Sequence, residues 1–141
     1  MNFTKEYINE CDCPEIQGLK PKLEYADWYA VRGNKGIFMV TVGYNEFSNR
    51  YSRKDRVWLP TKDRVWLPTS GQLDEEIVKI CKHNLWLYKV VYGLAEDEKE
   101  FGYDIEVYNA DGLYWHDIAI SYNTNPLIAK IKLLKELLNE S

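Results

Sequence analysis

The chain has 141 residues, of which 45% are hydrophobic, and a formal net charge of −4 at pH 7. This length and apolar content are enough for a single domain over residues 1–141 with its own core. The charge excludes a uniformly basic surface for generic nucleic-acid binding. The apolar runs are too short for a membrane-spanning helix, the N-terminus has no signal-peptide pattern, and the three cysteines do not indicate disulfides. We therefore expect a protein of the reducing cytoplasm without a membrane contact.

Charged and aromatic side chains are unevenly distributed. Every arginine lies between Arg32 and Arg64, whereas the residues after 70 carry thirteen Asp and Glu against seven Lys. The 11 tyrosines and 5 tryptophans are more than a core of this size is expected to bury. We therefore expect some exposed rings, which usually mark a binding surface.

The N-terminal part of the chain predicts a helix followed by a β-hairpin. Apolar residues at helical spacing indicate an amphipathic helix over about 2–10, with Thr4 as its cap. A loop marked by Gly18 follows. Two runs rich in β-formers, 25–32 and 37–42, flank the turn sequence Gly-Asn-Lys-Gly, which is typical of a hairpin.

A tandem repeat follows the hairpin and a polar, aromatic-bearing loop over residues 43–54. Residues 54–61, KDRVWLPT, recur letter for letter as residues 62–69. Two copies of eight residues are too short and too few for a stacked-repeat fold. We interpret the repeat as a duplication of DNA that is tolerated as a loop insertion. Because two identical segments cannot occupy the same structural position, the fold has to accommodate an extra tryptophan at a second position.

Residues 70–141 predict a helix, three antiparallel strands and a final helix. The first helix is expected over about 70–82, with an acidic trio at 74–76 in its first turn. The strand-like runs are 85–92, 103–108 and 113–121. An Asn-Thr-Asn-Pro cap at 123–126 begins the last, amphipathic helix. We therefore predict an α+β fold, an antiparallel β-sheet with packed helices, which the N-terminal hairpin could extend.

Two motifs in the first eighty residues resemble those of small proteins from phages and prophages of Gram-positive bacteria. They are Cys-Pro-Glu-Ile-Gln-Gly-Leu-Lys-Pro at 13–21, leading to 25–29, and Trp-Leu-Pro-Thr-Ser-Gly-Gln-Leu at 66–73. The helix, strands and proline-led helix of the C-terminal region also resemble the phage domains named for their helix–sheet–helix "ABA sandwich". The chain departs from the pattern by its doubled Trp-Leu-Pro-Thr and by Ala26, where a glycine is expected.

The resemblance implies a phage origin and leaves the activity open. Small phage proteins that are neither structural nor replicative often counter host defences. Some sequester cyclic nucleotide signals, as anti-Thoeris proteins do, and others block a defence enzyme, as anti-CRISPR proteins do. By this analogy we expect a homo-oligomeric, non-enzymatic counter-defence protein that sequesters a nucleotide-derived ligand of the cyclic nucleotide or ADP-ribose type. The alternatives are an inhibitor that docks on a host defence enzyme through exposed Tyr and Trp, with an acidic turn at 95–102 as its rim, or a phage protein of no defined activity.

The residues expected to bind a nucleotide interleave aromatic rings with arginines. Guanidinium groups bind phosphates through two hydrogen bonds, and aromatic faces stack on bases. The predicted ligand-binding residues are Arg32, Tyr44, Phe47, Arg50, Tyr51, Arg53, Arg56 and Trp58. The same pattern also fits a solvated polar loop with one or two rings in the core.

Metal binding and catalysis have weaker signals. Cys11, Cys13, Cys81 and His83 supply enough ligands for a tetrahedral zinc ion, but a one-residue gap between two cysteines is not the usual spacing of a structural zinc motif. Only His83 and His116 are present, and no nucleophile or metalloprotease motif accompanies them. We therefore expect no cofactor, no metal and no enzymatic activity.

Overall fold

The structure, a computed structural model, describes residues 3–20, 24, 26–33, 36–41, 64–94, 100–111 and 114–140, with the backbone alone described within 31–41. The predicted loop at 43–54, the first copy of the repeat and most of the acidic turn lie outside these residues.

Helices and antiparallel sheets make up an α+β fold, as predicted. Contacts divide the chain into two compact units, Met1–Pro68 and Thr69–Ser141, and each is described by itself. The single domain expected from the sequence stays a prediction. No helix in the described part of the chain has the length and apolar character that crossing a bilayer requires.

The N-terminal unit combines two short helices with a three-stranded sheet of order β2-β1-β3. Its elements are α1 (Lys5–Cys11), α2 (Pro14–Gln17), β1 (Trp28–Gly33), β2 (Gly36–Thr41) and β3 (Arg64–Leu67). Thr4 caps α1 as predicted, because its hydroxyl accepts a hydrogen bond from the Tyr7 N–H at 3.1 Å. Helix α2 is a single turn with Pro14 at its start, in a segment that the sequence predicted as a loop.

The predicted hairpin is confirmed, and it gains a third strand from the repeat. Strands β1 and β2 pair antiparallel, and the pairing extends to the Cα atoms of Gly33 and Gly36. Strand β3 pairs antiparallel with the other side of β1, with Trp66 opposite Tyr29. Since β3 belongs to the second copy of KDRVWLPT, that copy is part of a sheet, and the expectation of a loop insertion is wrong for it.

The C-terminal unit has the predicted order of one helix, three antiparallel strands and a second helix. Its elements are α3 (Ser70–Asn84), β4 (Leu87–Leu94), β5 (Phe101–Asp111), β6 (Tyr114–Asn123) and α4 (Pro126–Glu140). Thr69 and Gln72 form a capping box at the start of α3. The acidic trio at 74–76 therefore lies in the second turn, and its predicted place in the first turn is wrong. Asn125 begins α4, because its side-chain oxygen accepts a hydrogen bond from the Leu127 N–H at 2.9 Å.

The three C-terminal strands form a sheet of their own, of order β4-β5-β6. The N-terminal hairpin pairs with β3, so the expectation that it extends this sheet is wrong. Helix α4 packs on β5 and β6, and α3 packs on α4 and β4. Alternate residues along the strands, among them Ile105, Val107 and Ala119, are buried beneath these helices. We call this side of the sheet the covered face and the opposite side the open face.

Candidate functional site

The residues predicted to bind a nucleotide fall almost entirely outside the described part of the chain. Those outside are Tyr44, Phe47, Arg50, Tyr51, Arg53, Arg56 and Trp58. Arg32 lies in β1, where its Cα is paired with that of Ile37. The Arg and aromatic site stays a prediction.

The three cysteines and His83 lie in or next to helices, and His116 lies in β6. Cys11 is buried at the end of α1, and Cys13 precedes α2. In α3, Cys81 is buried and His83 is exposed. Among the described residues, no three His, Cys, Asp or Glu side chains are grouped as metal ligands. Burial raises the pKa of the Cys81 thiol, which keeps it protonated and weakens it as a nucleophile.

The two sequence motifs at 13–21 and 66–73 contact each other within the N-terminal unit through Gln17 and Trp66. The Oε1 atom of Gln17 accepts a hydrogen bond from the Trp66 N–H at 2.8 Å. Its Nε2 donates to the carbonyl oxygens of Cys11 at 2.8 Å and Trp66 at 3.1 Å. The Tyr7 hydroxyl also donates to the Pro68 carbonyl at 2.6 Å. The glutamine of Glu-Ile-Gln and the backbone of Trp-Leu-Pro are therefore structural partners.

Charged side chains are clustered in the segment that leads into β1. Lys20 makes ion pairs with Glu24 at 3.1 Å and with the buried Asp27 at 3.2 Å. Burial lowers the pKa of Lys20, but hydrogen bonds to both carboxylates outweigh it, so the pKa is raised. Between these carboxylates Ala26 has φ 69°, in the left-handed region that favours glycine.

A buried lysine ties the elements of the C-terminal unit together. Lys130 of α4 donates to the Ser70 hydroxyl at 2.7 Å and to the Asp74 carboxylate at 3.0 Å. The Tyr88 hydroxyl donates to the same carboxylate at 2.8 Å. Burial and this hydrogen bond raise the pKa of Tyr88. Asp74 therefore joins α3 to both α4 and β4, which is a structural role.

The open face of the C-terminal sheet carries several exposed apolar side chains. Strand register places the side chains of Leu87, Val91, Ile120 and Trp115 on it, and all four are exposed. Trp115 is 67% exposed and stacks on Tyr108, with ring centroids 4.9 Å apart. An antiparallel sheet with one covered face usually presents polar side chains on the other. This face is therefore a candidate binding surface.

Acidic groups lie among these apolar side chains. Asp104, Glu106 and Asp117 share the open face by register. Glu106 pairs with Lys89 on the neighbouring strand at 3.6 Å. Partly hydrated carboxylates beside exposed aromatic faces favour a partner surface that presents Arg or Lys among apolar groups.

A second exposed set lies on the covered face, beyond the helices. The Tyr92 ring is 5.9 Å from Phe101 and 5.0 Å from Tyr103 between centroids. Tyr92 is 63% and Phe101 61% exposed, and Leu94 beside them is also exposed. We call Val90, Tyr92, Leu94 and Phe101 the edge cluster, because three of them belong to β4 at one edge of the sheet.

A pocket of about 460 Å³ lies where α3 passes into β4. Its lining is Val78, Cys81, Lys82, Leu85, Trp86, Leu87 and Tyr88. Leu85, at the pocket, is exposed and has φ 60°. This φ is that of the left-handed C-cap that ends α3, where the backbone N–H donates to the Cys81 carbonyl.

The sequence predicted that some rings would be exposed, and the structure identifies Tyr92, Phe101, Tyr114 and Trp115 among them. None of the four is among the site residues predicted from the sequence. Aromatic residues recur along the sequence of β4 to β6, but the sequence does not show which side of each strand the helices cover. Their exposure could therefore be recognised only from the structure.

The comparisons with known proteins give no relative for this chain. No protein-family model, no curated protein and no solved structure matches it.

Proposed function

We propose that this protein is a non-enzymatic binding protein that docks on another protein through the open face of its C-terminal sheet. The observation that carries the proposal is Trp115, which is mostly exposed and stacked on Tyr108 on the face that also exposes Ile120. Tryptophan and tyrosine supply much of the binding energy in protein interfaces. A solvent-facing stack of the two is costly unless a partner covers it.

The partner that fits this face carries basic side chains between apolar ones. The carboxylates of Asp104, Glu106 and Asp117 provide the complementary charge. If the resemblance to phage proteins holds, this partner is a host protein, and a defence enzyme is the leading choice by analogy. This is the docking alternative of the sequence analysis, and the described residues support it more than they support ligand sequestration.

A pair of neighbouring variants tests the proposal. Tagged protein is incubated with host lysate at moderate salt, and the retained proteins are compared for wild type, Trp115→Ala and Tyr114→Ala. Tyr114 is also mostly exposed but precedes Trp115 in β6, so its side chain points to the other side of the strand. We expect one partner that Tyr114→Ala keeps and Trp115→Ala loses. Equal retention by both variants, or no partner at all, contradicts the proposal.

Sequestration of a nucleotide-derived ligand is the second candidate function. It is favoured by the alternation of arginines and rings between Arg32 and Trp58. Isothermal calorimetry with cyclic nucleotides and cyclic ADP-ribose isomers tests it, with Arg53→Ala as the variant. Heat of binding that Arg53→Ala removes supports this candidate, and absence of heat with every ligand contradicts it.

A further inference from the structure

Strand β4 is an edge strand with little protection against pairing. It pairs with β5 on one side, and among the described residues no strand pairs with its other side. Edge strands usually carry charges or proline that discourage pairing with another chain. In β4 the one charged residue is Lys89, which is already paired with Glu106 across the sheet.

We propose that a second copy of this chain pairs with the free edge of β4, antiparallel and about a two-fold axis. Two three-stranded sheets then join into one of six strands. Opposed residues lie on the same face, so the symmetric registers that pair most of the strand are centred on Val90 or Val91, and those centred on Lys89 or Tyr92 pair fewer residues. Centring on Lys89 opposes two like charges and is disfavoured. The axis therefore passes beside Val90 or Val91.

Both remaining registers bring Leu94 of the second copy to the pocket. With Val90 at the axis it lies opposite Trp86, and with Val91 at the axis it lies opposite Tyr88. Trp86 and Tyr88 both line the pocket between α3 and β4. Leu94 is exposed in the single chain and has the apolar character of that lining. The symmetry fills both pockets in the same way.

The charges at the two ends of β4 are complementary in this arrangement. Lys82 and His83 lie in the last turn of α3, beside the start of β4. Glu100 is exposed and directly precedes Phe101, which pairs with Leu94 at the end of β4. Antiparallel pairing brings Glu100 of one copy toward Lys82 of the other, at both ends of the interface. It also keeps the Glu100 side chains of the two copies apart.

The exposed apolar area suits a dimer of moderate strength. Tyr92 is 63% exposed, and with about 200 Å² of area per aromatic side chain its ring offers roughly 125 Å² per copy. Val90, Leu94 and Leu85 raise this to roughly 375 Å². A standard interface buries about 800 Å² per partner. The backbone and remaining side chains of β4 supply an area of the order of the difference.

Light scattering coupled to size exclusion, over a dilution series of the full chain, measures the dimer. The test variant is Val90→Lys and the matched control is Ile120→Lys. Both positions are exposed to a similar extent, 43% and 49%, but Ile120 lies on β6. We expect wild type and the control to dimerise alike, and Val90→Lys to raise the dissociation constant at least about 100-fold, because two lysines then meet near the axis. A monomeric wild type at about 100 μM, or equal dimerisation of both variants, overturns the proposal.

A charge exchange tests the same interface without relying on Val90. Lys82→Glu and Glu100→Lys are each expected to weaken the dimer about threefold to tenfold, and the double variant is expected to recover most of that loss. If the double variant dimerises as weakly as the single variants, the predicted approach of Glu100 to Lys82 is overturned. Because Trp115→Ala removes only partner capture, failure of the docking proposal and failure of the dimer are distinguishable.

Discussion

Replacing Gln17 by alanine tests how strongly the two motifs of the N-terminal unit depend on each other. The substitution removes three hydrogen bonds, two donated by Nε2 and one accepted by Oε1. The Trp66 N–H loses its acceptor beside a side chain that is almost fully buried. An unsatisfied buried donor costs about 1–3 kcal/mol, and each lost bond to a carbonyl costs about 0.5–1 kcal/mol.

The expected loss in the free energy of unfolding is therefore about 2–5 kcal/mol, a large part of the roughly 5–15 kcal/mol of a typical domain. Urea denaturation measures it, and hydrogen exchange at the Trp66 amide localises it. The matched control is Thr4→Ala in the same unit, which removes the single capping bond to the Tyr7 N–H and is expected to cost about 1 kcal/mol. If Gln17→Ala costs no more than Thr4→Ala, or leaves exchange at Trp66 unchanged, the coupling of the motifs is refuted.

Three further substitutions have defined outcomes. Ala26→Gly relieves the positive φ and is expected to raise stability by about 1 kcal/mol, measured as an increase in Tm; a decrease would contradict the strain. Asp74→Ala leaves the buried ammonium of Lys130 without its carboxylate, so it is expected to destabilise more than Lys130→Met in urea denaturation. Burial raises the pKa of Tyr29 to about 12. In the unfolded chain the same hydroxyl has a pKa of about 10, so it loses its proton there first. The free energy of unfolding therefore falls as the pH rises from ~10 to ~12. Tyr29→Phe is expected to lessen that alkaline loss, and at pH 7 to cost under about 1 kcal/mol because the described structure gives this hydroxyl no hydrogen-bond partner.

The order of most helices and strands was predictable because the sequence signals that specify them are local. Thr4, the Gly-Asn-Lys-Gly sequence and the Asn-Pro start of α4 each act on neighbouring residues, and the structure has the two helix starts and the pairing of β1 with β2 where the sequence predicted. Helix α2 was missed because four residues are too few to show a helical period. Strand β3 was missed because its pairing with β1 joins residues about 35 positions apart, and no local pattern reports such a contact.

The open face was not predictable because one residue changes the phase of β6. Strict alternation from the buried Ala119 would put Asp117 and Trp115 on the covered face. The register shift between Val107 and Tyr108 instead leaves Ile118 as an extra residue, so Asp117 lies opposite Tyr108 and Trp115 on the open face. A bulge of this kind exposes the tryptophan on which the docking proposal rests.

Because β3 belongs to the second octapeptide, the gene can lose one copy of the repeat and still encode this strand. Removing either copy of a letter-for-letter direct repeat yields the same chain, shorter by eight residues. In that chain Val-Trp-Leu-Pro-Thr still precedes Ser-Gly-Gln, so the partner of Gln17 and the capping box of Thr69 with Gln72 both persist. Thr61 has Arg64 rather than glutamine three residues later, so the adjoining helix start identifies the second copy as the one that can form the box. Replication slippage can therefore lengthen or shorten the link between β2 and β3 without altering the contacts that hold the strand.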